Sequence, residues 1–185
     1  MSLDPTVRDA MLTAIPGLRA FANSLCRNAD QADDLVQEAL LRGCTGISSF
    51  LPGSNMTAWL MTILRNQFYS ECRKRRRTFE SIDDHVEALA QPPAQIARAE
   101  YAELRAALAK LRVEEREAVI LIGASGFSYA EAARMCGCAE GTVKSRVSRG
   151  RARLAELLSI ETSDGFDAHP IAGGHLRADR ALIEA

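Results

Sequence analysis

Hydrophobic residues along the chain recur at intervals of three and four, and no stretch alternates with the period of two that marks a strand. Such spacing lines up apolar side chains on one face of a helix, so an all-α fold is predicted. The first helix is predicted to begin near Thr6 and end near Leu25, with Pro16 and Gly17 expected to bend or divide it. A second helix, with a charged outer face, is predicted over residues 30–44.

A loop at residues 50–55 precedes a longer helix that is predicted over residues 57–76. The first half of this helix is apolar on almost every side and is expected to be buried. Its second half is polar and ends in an unbroken run of cations. Beyond residue 77 the helical period is lost among charges and the Pro92-Pro93 pair, which predicts a domain boundary.

Two further helices are predicted after this boundary, over residues 93–110 and 114–124. The apolar side chains of both helices are expected to build a second core. Three carboxylates are assigned to the first turn of the second of these helices, where they interact favourably with the helix dipole: Glu114, Glu115 and Glu117.

The segment from Ser128 to Leu158 carries the most informative pattern in the chain. Ser128 precedes a short helix predicted over residues 129–135, and Glu131 has the spacing of a capping box. A corner containing Gly137 and then a longer, basic helix follow. This order is typical of a helix-turn-helix, which places its second helix in the major groove of DNA.

The longer helix has an apolar stripe and, opposite it, a polar stripe of Lys144, Ser145, Ser148 and Arg149. Lysine and arginine donate to guanine edges and phosphates, and serine donates or accepts at a base edge. Flanking cations are better placed for the phosphate backbone, and they are Arg146, Arg151 and Arg153. Only Glu140 and Glu156 are expected to pair with the cations of this helix.

The charges of the chain are segregated although their sum is small. The 185 residues contain 23 Lys and Arg against 24 Asp and Glu, a net charge of −1, which argues against a protein coated in positive charge. The cations are nevertheless concentrated at residues 73–77 and 144–153, with acidic segments between and after them. Two basic surfaces predict two contacts with a polyanion, one on each block. Beside the first, Phe50, Asn66 and Ser70 are suited to holding an unstacked base.

Several classes of protein are excluded by what the sequence lacks. No apolar stretch is long enough to cross a bilayer, and the first residues do not have the pattern of a secretory signal, so a cytoplasmic protein without membrane contact is expected. The five cysteines are expected to be reduced thiols. Cys136 and Cys138 have no second pair and no nearby histidine, so no metal site is predicted. Neither a nucleophile–base pair nor a glycine-rich phosphate loop is present, so no enzymatic activity, cofactor or small-molecule substrate is expected.

These elements predict two small helical domains joined by a flexible linker. The first domain is assigned to residues 6–77 and the linker to residues 78–95. The second domain is assigned to residues 96–158, and residues 159–185 are expected to form a flexible tail without an assigned function.

Two sets of motifs resemble a family. The segment Asp33–Glu38, then Phe50, Thr57–Leu60 and Asn66, resembles region 2 of a bacterial extracytoplasmic-function (group IV) sigma factor. The segments Gly126–Ala133 and Gly141–Leu154 resemble its region 4. The resemblance covers residues 6–158 in the family's order, and the overall pattern is most similar to the alphaproteobacterial general-stress-response group.

The resemblance implies the role of a sigma initiation factor, which binds core RNA polymerase, recognises promoter DNA and promotes strand opening. Core polymerase binding is implied for Asp33, Asp34, Gln37, Glu38 and Arg42. Binding of the −10 element is implied for Phe50, Asn55, Asn66, Ser70, Arg73 and Lys74. Binding of the −35 element is implied for Thr142, Lys144, Ser145, Arg146, Ser148, Arg149, Arg151 and Arg153. An anti-sigma factor is implied as a further partner.

Two other functions remain open at this point. A helix-turn-helix regulator that acts alone on duplex DNA would account for residues 128–158 but would leave residues 30–77 unexplained. A sigma-mimic that sequesters an anti-sigma factor would not need Lys144 and Arg149 on an exposed face.

Overall fold

The computed structural model describes residues 4–26, 28–78 and 96–158, and in these ranges every regular element is helical. The prediction of an all-α fold is confirmed. The helices are α1 (Pro5–Leu25), α2 (Ala29–Thr45), α3 (Met56–Thr78), α4 (Ile96–Ala109), α5 (Val113–Gly123), α6 (Tyr129–Cys136) and α7 (Glu140–Leu157), with a short 3-10 helix at Ile47–Ser49 between α2 and α3.

The first three helices pack against one another, and each begins at a polar cap. The Asp4 side chain accepts a hydrogen bond from the Thr6 amide, and Asn28 does the same for the amide of Gln31. Capping of this kind satisfies amide groups that have no partner within the helix. The apolar stripes of the three helices meet around fully buried side chains of Leu18, Phe21, Leu60, Met61 and Leu64.

The expected division of the first helix at Pro16 and Gly17 is wrong, because α1 is continuous through both residues. Pro16 has no amide hydrogen, so the carbonyl of Leu12 lacks its usual donor. Leu12 lies on the solvent side of α1 with 56% of its surface exposed, and water can hydrate that carbonyl.

Helices α4 to α7 form the second group, and its helix-turn-helix is as predicted. Ser128 and Glu131 form a capping box at the start of α6. Gly137 ends α6 with φ of 63°, a conformation that favours glycine, and so lets the chain turn sharply into α7. Val143 and Val147 of α7 are buried against the preceding helices.

The two groups of helices lie against each other. Helix α5 contacts α1, and α6 contacts α3. Buried apolar side chains from both groups form one continuous cluster. The chain therefore holds its two basic surfaces on a single packed body, an arrangement that the periodicity of the sequence did not predict.

Some sequence-based expectations lie outside the described residues. They concern the tail at 159–185, nearly all of the linker at 78–95, and the side chains of Arg76 and Arg77. None of the described helices is long and apolar enough to span a membrane. Within the described ranges no three His, Cys, Asp or Glu side chains are grouped as metal ligands, and all five cysteines are free thiols.

Candidate nucleic-acid interface

Helix α7 presents its polar stripe to solvent because its other side is buried in the second group. Val143 and Val147 are almost fully enclosed, and Gly150 lets α7 approach α5 closely. The opposite residues are all exposed, and they are Lys144, Ser145, Ser148 and Arg149. A helix held in this way can enter a groove of DNA without disturbing the core behind it.

Three cations of α7 have carboxylate partners: Lys144 with Glu140 at 2.8 Å, Arg149 with Glu115 at 3.7 Å and Arg153 with Glu156 at 2.7 Å. The expectation of only two available carboxylates was incomplete, because Glu115 reaches α7 from α5. The hydrogen bond from Lys144 to Glu140, with their mutual attraction, raises the pKa of Lys144. The Lys144 and Arg153 pairs are exposed and therefore weak, so a phosphate can replace the carboxylate in both of them.

The residues flanking the polar stripe differ in accessibility. Arg151 and Arg153 are exposed, as contact with a phosphate backbone requires. Thr142 and Arg146 are half-buried, and a terminal nitrogen of Arg146 lies 3.9 Å from the sulfur of Cys138 in the turn before α7. Arg146 is therefore held partly against the protein, with less of its surface available to DNA.

A second polar face lies on the second half of α3. Asn66, Arg73 and Lys74 are exposed there, and Ser70 is half-buried. Residues 66, 70 and 74 are spaced by four positions, and residue 73 lies three positions after residue 70, so all four lie on one side of the helix. Amide, hydroxyl and cationic groups are thus presented together in the first group of helices.

Phe50 and Asn55, both predicted to contact DNA, also have structural contacts. The Phe50 ring packs on Trp59 with 5.3 Å between ring centroids and 56° between ring planes. The Asn55 side chain accepts a hydrogen bond from the Ala58 amide at 3.1 Å and so caps α3. The loop between α2 and α3 is therefore anchored at both ends.

This loop borders a cavity of about 330 Å³ between the two groups of helices. Its lining from the loop and α3 includes Ser54, Asn55, Trp59 and Thr62, and its lining from α6 consists of Glu131, Arg134 and Met135. The side chains next to the predicted base-binding loop thus face the helix-turn-helix.

The charged outer face of α2 is present as predicted. Asp33, Asp34, Gln37 and Arg42 are exposed, and Glu38 is half-buried. Arg42 donates to the Glu38 carboxylate at 2.6 Å, one turn away on the same helix. Apart from this pair, Asp33 lies 3.6 Å from Arg19 of α1. The face is available to a partner protein because four of its five side chains are exposed.

Glu117 does not lie in the first turn of its helix, where the sequence places it. The first turn of α5 contains Glu114 and Glu115, whereas the Glu117 side chain follows it and is fully buried. Arg65 of α3 donates to one of its carboxylate oxygens at 2.5 Å, and the Tyr69 hydroxyl donates to the other at 3.1 Å. The Arg65 guanidinium also lies 4.6 Å from the centre of the Tyr69 ring. We refer to Arg65, Tyr69 and Glu117 together as the clasp.

The electrostatics of the clasp are set by burial and by pairing. Burial raises the pKa of the Glu117 carboxyl, and this effect outweighs the opposite influence of Arg65 and of the two hydrogen bonds. Burial acts to lower the pKa of Arg65, but the charge and hydrogen bond of Glu117 more than compensate and raise it. The clasp is thus a desolvated ion pair, held by side chains 52 positions apart in sequence.

A pattern in the sequence could have revealed the burial of Glu117. It precedes Ile120 by three positions and Leu121 by four, so it lies on the apolar stripe of α5. Arg116, the residue before Glu117, also joins the two groups of helices, because its guanidinium donates to the carbonyl of Leu25 at 3.4 Å.

Two family models match the chain, one to each group of helices. The model described as sigma-70 region 2 matches residues 12–78, and the model described as sigma-70 region 4 matches residues 101–154. A curated relative, the ECF RNA polymerase sigma factor EcfG of Rhodopseudomonas palustris (strain TIE-1), is 56% identical over 167 residues, which are 90% of this chain and 92% of the relative. The chain belongs to the extracytoplasmic-function sigma factors.

Other relatives of this sigma factor are similar over both regions. The ECF RNA polymerase sigma factor SigM of Mycobacterium tuberculosis is 38% identical over 76% of this chain and 71% of its own length. The sigma factor RpoE of Bartonella quintana, crystallised with the anti-sigma factor NepR, is 50% identical with a TM-score of 0.77. That match covers 83% of this sigma factor and 97% of the Bartonella chain.

The clasp of this sigma factor joins the two matched regions. Arg65 and Tyr69 lie in region 2, and Glu117 lies in region 4. The polar stripe of α7 belongs to region 4, and the polar face of α3 belongs to region 2. Each basic surface therefore lies in a different region, and the clasp links the regions at their shared boundary.

Proposed function

We propose that this sigma factor directs core RNA polymerase to promoters by reading the −35 element with α7 and the −10 element with α3 and the loop before it. The observation that carries the proposal is the exposure of two polar, cationic helical faces, one in region 4 and one in region 2. Polymerase supplies the catalysis in the cytoplasm, and this subunit supplies promoter choice and strand opening.

Contact with the −35 element is proposed for the exposed stripe of α7. Lys144 and Arg149 donate to guanine edges or phosphates, and Ser145 and Ser148 contact base edges. Arg151 and Arg153 contact the backbone, and Thr142 and Arg146 take part from their half-buried positions. The weak carboxylate pairs of this helix are exchanged for phosphates when DNA is bound.

Contact with the −10 element is proposed for the second half of α3 and the loop before it. Asn66 and Ser70 offer hydrogen bonds to an unstacked base, and Arg73 and Lys74 offer charge to phosphate. Phe50 and Asn55 complete the contact from the loop. Unstacking a base costs a few kcal/mol, which these contacts and polymerase offset together.

Two protein partners are proposed. Core polymerase binds the exposed face of α2, which consists of Asp33, Asp34, Gln37, Glu38 and Arg42. An anti-sigma factor binds the chain across both regions, because the Bartonella sigma factor with a bound anti-sigma factor is similar to this one over both regions. We place the regulated genes in a stress response, in keeping with the subgroup that the sequence resembles.

Transcription in vitro with purified core polymerase tests the proposed reading of the −35 element. Replacing Lys144 or Arg149 with alanine removes a charged contact worth about 1–3 kcal/mol, so −35-dependent transcription should fall about 5- to 150-fold. Core binding, measured separately by co-purification, should remain unchanged. The matched control is Arg8→Ala, which removes an exposed cation of α1 that lies outside both polar faces.

Three results would each contradict the proposed function. Unchanged −35 selectivity in the α7 variants would reject the role of this helix. Sequence-specific DNA binding without any affinity for core polymerase would identify a regulator that acts alone. Capture of an anti-sigma factor by a chain that supports no transcription would identify a sigma-mimic.

A further inference from the structure

We propose that the clasp holds the free sigma factor in a closed form, and that it must break before the chain can read a promoter. This inference rests on the proposed function, because it takes both promoter contacts to be made at the same time. Its observable, the separation of the two regions in the free chain, requires neither promoter nor polymerase.

The closed form is held by specific polar contacts at its centre. Glu117 is fully buried, and both of its oxygens accept hydrogen bonds from α3. The side chain of Arg65 is only 15% exposed. Since a buried charge without a partner is very unfavourable, α3 and α5 have a strongly preferred position relative to each other. Arg116 adds a second contact between the regions, to the carbonyl of Leu25.

The closed form is too short to read both promoter elements. Positions −35 and −10 are about 25 base pairs apart, which is roughly 85 Å along B-form DNA at about 3.4 Å per base pair. In the closed form, α6 of the helix-turn-helix and the loop before α3 border the same cavity. One element would therefore be out of reach whenever the other is bound.

The connection between the regions is long enough for them to separate. Residues 79–95 are 17 positions in the sequence, and a chain of this length spans at most about 60 Å when extended. The regions themselves bridge the remaining distance, because the polar face occupies the second half of the 23-residue helix α3 and the polar stripe follows the 18-residue helix α7. Opening therefore requires no change inside either region.

An ion pair suits a contact that has to open. The attraction between two buried charges is partly cancelled by the loss of their hydration, so separating the pair costs less than the attraction alone would imply, even though its geometry is specific. When the regions separate, Arg65 and Glu117 regain water. The apolar side chains that both groups contribute to their common cluster are also exposed on opening, and that cost adds to the cost of separating the clasp.

Single-molecule energy transfer in the free, full-length chain tests the clasp. Dyes are attached through unnatural amino acids at Ser48 in region 2 and Ala124 in region 4, both exposed, because the chain has five native cysteines. The wild type is expected to give one population with a short distance. Arg65→Gln and Glu117→Gln should each shift the ratio of open to closed chains about 10- to 100-fold towards open, as loss of a charged hydrogen bond requires.

Two further variants keep the test decisive if a single buried charge prevents folding. Tyr69→Phe keeps the ring and removes one hydrogen bond, and it should shift the ratio about 2- to 10-fold. The double variant Arg65→Gln/Glu117→Gln leaves no unpaired charge, so it should open further than the wild type but less than either single variant. The matched control is Asp9→Asn, which neutralises an exposed carboxylate paired with Arg8 inside α1, and it should stay closed.

The proposal is overturned if the folded Tyr69→Phe chain and the folded double variant keep the wild-type distance. It is equally overturned if the control opens as far as the clasp variants do, because any loss of charge would then suffice. A closed wild type that opens in the clasp variants supports the clasp whatever the transcription assay shows. Loss of promoter selectivity in that assay bears on the proposed function alone.

Discussion

Gly150 of α7 lies so close to Val119 of α5 that a β carbon at position 150 would stand 2.7 Å from the Cγ2 atom of Val119. The same β carbon would be 3.3 Å from the backbone carbonyl oxygen of Glu115. The absence of a side chain at Gly150 therefore sets how closely α7 packs against α5. It also fixes the direction of the polar stripe on the other side of α7.

Gly150→Ala is expected to destabilise the protein by about 1–3 kcal/mol, because the added methyl group forces α5 and α7 apart. Urea unfolding measures the change in the free energy of unfolding. The matched control is Gly141→Ala in the same helix, where a β carbon meets no atom within 4 Å. That change should be neutral or stabilising by up to about 1 kcal/mol. Equal effects at the two positions would show that space at Gly150 is not limiting.

The capping box of α6 gives a prediction about pH. Glu131 accepts hydrogen bonds from the Ser128 hydroxyl at 2.7 Å and the Ser128 amide at 2.9 Å, and these lower the pKa of its carboxyl below 4.5. A carboxyl whose pKa is lower in the folded state than in the unfolded chain stabilises the protein at pH above its pKa in the unfolded chain. That contribution is lost as the pH falls through its pKa in the folded state.

Ser128→Ala should therefore cost about 1 kcal/mol at pH 7. The difference from wild type should shrink as the pH falls below 4.5, the ordinary pKa of Glu131, because protonation weakens in the wild type the hydrogen bond from the Ser128 hydroxyl that the variant lacks. Urea unfolding at a series of pH values measures both effects. Ser49→Ala, which removes a hydroxyl bonded only to the carbonyl of Gly46, should show no such dependence. A constant difference across pH would refute the role of Glu131.

The contact between Phe50 and Trp59 can be followed by fluorescence, because Trp59 is the single tryptophan of the chain. Phe50→Ala should shift its emission to longer wavelength and lower stability by about 1 kcal/mol or more, since the aromatic contact is lost and water reaches the indole. Phe50→Leu keeps an apolar side chain and should have a smaller effect on both. Unchanged emission in Phe50→Ala would show that the Phe50 ring does not shield Trp59 from water and contributes to DNA binding only.

Asn66→Ala should impair strand opening with little effect on stability. The side chain is exposed, so the free energy of unfolding should change by less than about 0.5 kcal/mol. Loss of one hydrogen bond to an unstacked base should reduce open complexes on linear DNA about 2- to 10-fold. Footprinting of unpaired thymines measures the open complex. Asn23→Ala, an exposed change on α1, is the control, and wild-type opening in Asn66→Ala would contradict the proposed contact.

The helices and the helix-turn-helix could be predicted because their signals are local. Apolar spacing located all seven α-helices of the described residues to within a few positions, and Ser128, Glu131 and Gly137 marked the turn between α6 and α7. The exposed stripe of α7 followed from the same periodicity. The expected division of α1 at Pro16 was wrong, because the effect of a missing amide hydrogen depends on whether water reaches the carbonyl that it leaves without a donor.

The sequence by itself determined the two helical groups, the polar faces of α3 and α7 and the family to which they belong. Only the tertiary structure decided that Arg149 faces Glu115, that Phe50 rests on Trp59 and that the two groups close around Glu117. The physical reason lies in the range of the interactions. Periodicity is set by neighbours within two turns of helix, whereas the state of the Glu117 carboxylate is set by residues 48 and 52 positions away, which exclude water from it.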